Sequence, residues 1–197
     1  MTDYFALLGQ PRRPWLEPMA LQQAFHALTL RAHPDAMAGK AGAADAEAEF
    51  AQINEAYRVL QDPKRRLQHL LNLEGQPPSA ADGQVPEEIA EIFPTVAAAT
   101  QEAERAQQKA AVTTNPLSRS LLRGEFLQAD RRIDEALSLL LRLRAEAESD
   151  LEGLNGIFAE MAASDRCSAL RRLYLRFSYL TRWIDQLQEK RTQLSGG

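Results

Sequence analysis

From Leu170 to Leu187 the apolar residues Leu170, Leu173, Phe177, Leu180, Ile184 and Leu187 follow one another at alternating steps of 3 and 4 without a miss. Only an α-helix gathers such positions on one face, because its 3.6-residue period returns a side chain to the same side every third or fourth residue. Upstream, Phe126, Ile133, Leu140, Ala147, Leu154 and Met161 recur at strict sevens, a second seam expected to loosen at Gly153 and Gly156. A third apolar series, Ile89, Ile92, Val96 and Ala103, is interrupted or kinked by Pro94. Stripes of this kind need one another, and an antiparallel three-helix bundle over residues 87–197 is the expected product. Alternating β-branched or aromatic runs do not occur anywhere in the chain. The fold class read here is therefore all-α.

The N-terminal part reads as shorter helices. Asp3 to Leu8 is a brief helix stopped by Gly9, and the cluster Pro11, Pro14 and Pro18 breaks the chain after it. Pro18 suits the first turn of a second helix with Leu21, Phe25, Leu28 and Ala32 on its inner face, ending near His33 because Pro34 disfavours helical geometry in the residue before it. After a Gly/Ala-rich loop, a third helix from about Asp45 carries Phe50, Ile53, Tyr57 and Leu60. Asp62-Pro63 ends it and starts a fourth, which presents Leu67, Leu70 and Leu71 and closes at Gly75. The two central helices should pack as an antiparallel hairpin. Pro77, Pro78, Ser79, Gly83 and Pro86 then mark a linker over 76–86. Two domains are expected, 1–75 and 87–197.

Several function classes are poorly served by this composition. No apolar run approaches the ~20 residues of a membrane-spanning helix, so no membrane role is expected. A net charge of -4 disfavours a nucleic-acid partner, despite the basic runs Lys64-Arg65-Arg66 and Arg171-Arg172 with Arg176. A single cysteine, Cys167, permits no intrachain disulfide and fits a reducing, cytoplasmic setting. His26, His33 and His69 have no second ligand-type residue at helical metal spacing, so neither a metal nor another cofactor is expected. Gly39 and Gly42 lack the Gly-Lys-Ser ending of a phosphate loop. The chain does not read as an enzyme, and its partners should be proteins.

One corner stands out, His33-Pro34-Asp35, where a proline-restricted backbone holds two polar side chains between two helices. Alone it is a turn. In the order Asp3-Tyr4-Phe5-Ala6-Leu7-Leu8-Gly9, then Arg31-Ala32-His33-Pro34-Asp35, then Gln52-Ile53-Asn54-Glu55-Ala56-Tyr57-Arg58-Val59-Leu60-Gln61-Asp62-Pro63, the N-terminal domain resembles the J-domain of DnaJ-type co-chaperones. With Arg66-Leu67-Gln68-His69-Leu70-Leu71-Asn72-Leu73-Glu74-Gly75 and an all-helical tail, the chain resembles the HscB type, the J-protein of iron-sulfur cluster assembly. That resemblance implies stimulation of a DnaK- or HscA-type ATPase through His33, Pro34 and Asp35, flanked by Arg31, Gln23 and His26. It also implies delivery of an IscU-type scaffold by the C-terminal bundle.

Two departures accompany the resemblance. The outward face of the second helix is Gln23, His26, Ala27 and Leu30, where J-domains usually carry lysine and arginine, and Ala36 follows the motif where lysine is common. Electrostatic steering toward an acidic chaperone should be correspondingly weak. In place of the family's aliphatic and acidic scaffold contact stands Glu87-Glu88-Ile89-Ala90-Glu91-Ile92-Phe93-Pro94. A partly exposed patch is expected there, drawn from Ile89, Ile92, Phe93 and Val96 with an acidic rim, against the alternative that all four are bundle core. A different client, or a J-like adaptor that dimerises through its C-terminal helices, is the competing account of the tail.

Overall fold

The computed structural model describes residues 1–32, 43–78 and 85–195, with the side chains of residues 32, 43–46, 116, 117 and 119–121 left aside. His33, Pro34 and Asp35, and the loop around them, lie outside the described residues. All regular structure among the described residues is helical: α1 Tyr4–Leu7, α2 Pro18–Ala32, α3 Ala43–Gln61, α4 Pro63–Leu73, α5 Glu87–Ala90, α6 Phe93–Val112, α7 Pro116–Ile157 and α8 Ala163–Ser195. They form two compact units, one of residues 1–83 with 148–174, the other of residues 84–147 with 175–197.

In the first unit the helix ends follow from local chemistry. The Asp3 carboxylate accepts from the Phe5 and Ala6 amides and starts α1, and Asp62 accepts from the Arg65 amide, 2.7 Å, and starts α4 with Pro63 behind it. Both helices end on a glycine of positive φ, Gly9 (60°) and Gly75 (71°). There the next amide reaches back five residues, from Gln10 to the Phe5 carbonyl and from Gln76 to that of Leu71, a closure only glycine makes without strain. Phe5, Leu8, Leu16, Leu21, Ile53, Leu60, Leu67 and Leu71 are buried together. Phe25 stacks on Tyr57 across the α2–α3 hairpin, with centroids 4.1 Å apart. Phe25, Leu28 and Tyr57, expected in the core, are half-buried. From the 148–174 stretch, Leu151 and Phe158 are buried, and Arg166 reaches Glu74 at 3.7 Å.

In the second unit the pairing of side chains gives the helix directions. Lys109 meets Glu125 at 2.7 Å and Arg132 meets Glu102 at 3.7 Å, so α6 and α7 run antiparallel. Lys190 with Glu104 and Gln193 with Gln107 set α8 parallel to α6 and hence antiparallel to α7, to which Arg191 is tied through Asp130 and Asp134. On the inside, α6 offers Val96, Ala99, Ala103 and Ala106 at steps of 3 and 4, small side chains against which the larger Ile133, Leu140, Phe177, Leu180, Ile184 and Leu187 can pack.

Two expectations are sharpened by the structure. Of the interruption or kink expected at Pro94, the structure shows the interruption: α5 stops at Ala90 and α6 restarts at Phe93 with the proline in its first turn, where its missing N–H costs nothing. The seam of sevens loosens at Gly153 and Gly156 as expected, since Leu154 and Met161 are only half-buried where Ile133, Leu140 and Ala147 are fully buried, but the helix itself does not break there. α7 is continuous to Ile157, its glycines flanked by the buried Leu151 and Phe158, whose burial outweighs the ~1 kcal/mol helix penalty of a glycine.

Candidate functional site

Two surfaces carry the residues singled out by sequence, one in each unit. In the first unit the outer face of α2 holds Gln23, His26, Ala27, Leu30 and Arg31, all exposed, with Leu30 at 77% and Met19 at 65%. Glu17 caps the helix through the Met19 and Ala20 amides, and Thr29 turns its hydroxyl back onto the Phe25 and His26 carbonyls. Apart from Arg31 the described part of this face is uncharged. It presents amide, imidazole and aliphatic groups to a partner.

The same unit holds two buried polar side chains whose roles the sequence did not reveal. Arg66, read as one of a basic run, is 5% exposed and donates from Nε to the Pro14 carbonyl, 2.7 Å, and from Nη1 to that of Leu60. Burial pushes its pKa down to about 10, against the pull of Asp62 and Glu148, so it remains a cation at neutral pH. His69, also 5% exposed, accepts the Tyr4 amide at Nε2. Spacing held the clue: residues 66 and 70 share a face, and Leu70 is buried.

In the second unit the burial stripe that runs through α5 and α6 decides which side chains face out. Ile89, Ile92 and Val96 are 1%, 8% and 4% exposed, so these three belong to the core and not to a docking patch. The buried positions Ile89, Ile92, Val96, Ala99 and Ala103 keep steps of 3 and 4 across the break, and Phe93, about 100° round the helix from Ile92, falls off that stripe and is 59% exposed. Its ring lies 6.2 Å from that of the buried Trp183, tilted by 56°, and Trp183 in turn meets Tyr179 at 5.5 Å. This aromatic backing is absent from the reading of the first bundle helix alone, because it arrives from α8. Glu87 and Glu91 are exposed on either side, and Glu88 pairs with Arg176 at 3.4 Å. The site is an exposed aromatic ring with the exposed carboxylates of Glu87 and Glu91 close to it in the chain and Arg176 holding Glu88. It suits docking of a protein and contains no nucleophile paired with a base.

Comparison with known proteins follows the same division. The DnaJ domain family model matches residues 3–69. A co-chaperone protein HscB homolog of Bordetella pertussis is 34% identical over 147 residues, covering 73% of this chain and 81% of that protein. One from Vibrio cholerae is 43% identical over 75 residues, 37% of this chain and 44% of that protein. Among solved structures, human co-chaperone protein HscB superposes with a TM-score of 0.64 at 17% identity, over 98% of this chain and 84% of that one. Chaperone HscB from Vibrio cholerae gives 0.55 at 22%, over 98% and 99%. At these identities the structural likeness speaks for the fold.

Proposed function

Because the chain belongs to the HscB family of J-domain co-chaperones, we propose that it stimulates ATP hydrolysis by a DnaK- or HscA-type chaperone in the cytoplasm and brings to it an IscU-type iron-sulfur scaffold. The observation that carries this reading is the DnaJ-domain match over residues 3–69, which spans the His33-Pro34-Asp35 corner and the hairpin closed by Phe25 on Tyr57. In this account Asp35 pairs with a chaperone arginine as a charge-assisted bond, with His33 and Pro34 belonging to the same contact and Arg31, Gln23 and His26 extending it along α2. The client docks on Phe93. An apolar anchor backed by a buried ring and surrounded by carboxylates fits a partner with an apolar pocket and basic margins.

The rival account, an adaptor dimerising through its C-terminal helices, has less support, since Phe177, Leu180, Ile184 and Leu187 are already buried within this chain. Calorimetric titration of the full chain with an IscU-type scaffold tests the client half. Binding should be lost or weakened at least tenfold in Phe93→Ser, whose helicity stays that of the wild type. Equal heats from the two proteins would remove Phe93 from the account.

A further inference from the structure

A helix as short as α1 leaves its first-turn amides without intrahelical acceptors, and each must be satisfied from outside. The Asp3 carboxylate takes those of Phe5 and Ala6, at 3.0 and 3.3 Å. The Tyr4 amide is taken by His69, 65 residues away on α4, whose Nε2 lies 3.1 Å from it. The imidazole is sandwiched in place, stacked on Tyr4 at 4.6 Å between centroids and on Phe5 at 5.7 Å, and it is 5% exposed. Phe5 and Leu8 anchor α1 in the core of this unit. The contact has one chemical requirement: Nε2 accepts only in the neutral imidazole that carries its proton on Nδ1.

We propose that His69 is a proton-operated latch on α1. Protonation at Nε2 removes the acceptor, sets an N–H donor against the Tyr4 N–H donor, and frees the first turn of α1 from α4. The charges that act on the ring come from both sides of α1: Asp3 favours the cation, and Arg12, in the segment after α1, opposes it. Asp3 is poorly placed to absorb the new charge, because its carboxylate already accepts from two amides and from Arg12 Nε at 2.7 Å. On α4 itself Arg65 is turned to Glu55 and Arg66 to the Pro14 and Leu60 carbonyls. Burial is the largest influence and holds His69 below its ordinary value of 6.5. The sign follows: the unfolded chain binds this proton at about 6.5 and the folded chain only at lower pH. The latch is therefore closed above 6.5, and its contribution is lost as the pH falls through the lower, folded-state value.

Proton and amide NMR of the full chain from pH 7.5 to 5 tests this. The His69 ring signal should titrate below 6.5, and the Tyr4 amide should shift with the same midpoint. After correction for intrinsic exchange, Tyr4 protection should drop by about fivefold, the worth of one ordinary hydrogen bond. In His69→Gln, whose carboxamide oxygen can still accept, the Tyr4 response should vanish, whereas in His26→Gln it should persist. A Tyr4 amide that ignores the His69 titration in the wild-type protein overturns the proposal, as does an unchanged response in His69→Gln.

Discussion

Arg66 carries a charge into a site that is 5% exposed and uses it on two backbone carbonyls, that of Pro14 before α2 and that of Leu60 near the end of α3. Without the guanidinium both acceptors would stay buried and unpaired. Arg66→Leu is accordingly expected to cost about 2–4 kcal/mol, far more than loss of an exposed ion pair such as Arg65 with Glu55. Urea denaturation of the two variants, Arg66→Leu and Arg65→Leu, checks the contrast, and equal midpoints would show that the buried guanidinium is not structural. At this scale the sequence is legible for caps and opaque for buried polar groups. Asp3, Gly9, Asp62 and Gly75 act through their immediate neighbours, so their positions in the chain announce them. Arg66 and His69 act on partners 52 and 65 residues away, and the one local sign, the helix face that Arg66 shares with Leu70, does not name those partners.

Among the elements, α8 was readable because its stripe runs unbroken, and every one of Leu170, Leu173, Phe177, Leu180, Ile184 and Leu187 is buried. The segment before α6 was not. The helix stops and restarts there with a proline in the first turn of α6, yet one stripe, Ile89, Ile92, Val96, Ala99 and Ala103, stays buried across the break while Phe93 beside it turns out, and spacing alone did not say how wide a stripe the bundle covers. The two classes of position should respond differently. Leu180→Ala, at 0% exposure, is expected to cost roughly 2–5 kcal/mol, whereas Phe93→Ser, at 59%, should cost less than about 1. Circular dichroism during denaturation measures both. A loss at Phe93 as large as that at Leu180 would mean that the aromatic contact with Trp183 is a packing contact and not a docking surface.

On the scale of the whole molecule, the sequence foretold an all-helical chain with a J-domain at its N-terminus, and the fold and the family agree. Sequence offered less about the long hairpin, whose residues 148–174 group with the N-terminal helices while the rest of α7 and α8 builds the second unit. A seam of sevens says that a helix has a partner without saying which. The proposed function joins a chaperone-stimulating unit to a client-binding unit on one chain, which would raise the local concentration of client at the chaperone. The claim rests on His33-Pro34-Asp35, and the most direct measurement is single-turnover ATP hydrolysis by a DnaK- or HscA-type chaperone with the full chain added. The account predicts stimulation by the wild-type protein that is abolished by Asp35→Asn, with the melting temperature of the variant unchanged within about two degrees. Undiminished stimulation by a folded Asp35→Asn protein would contradict it.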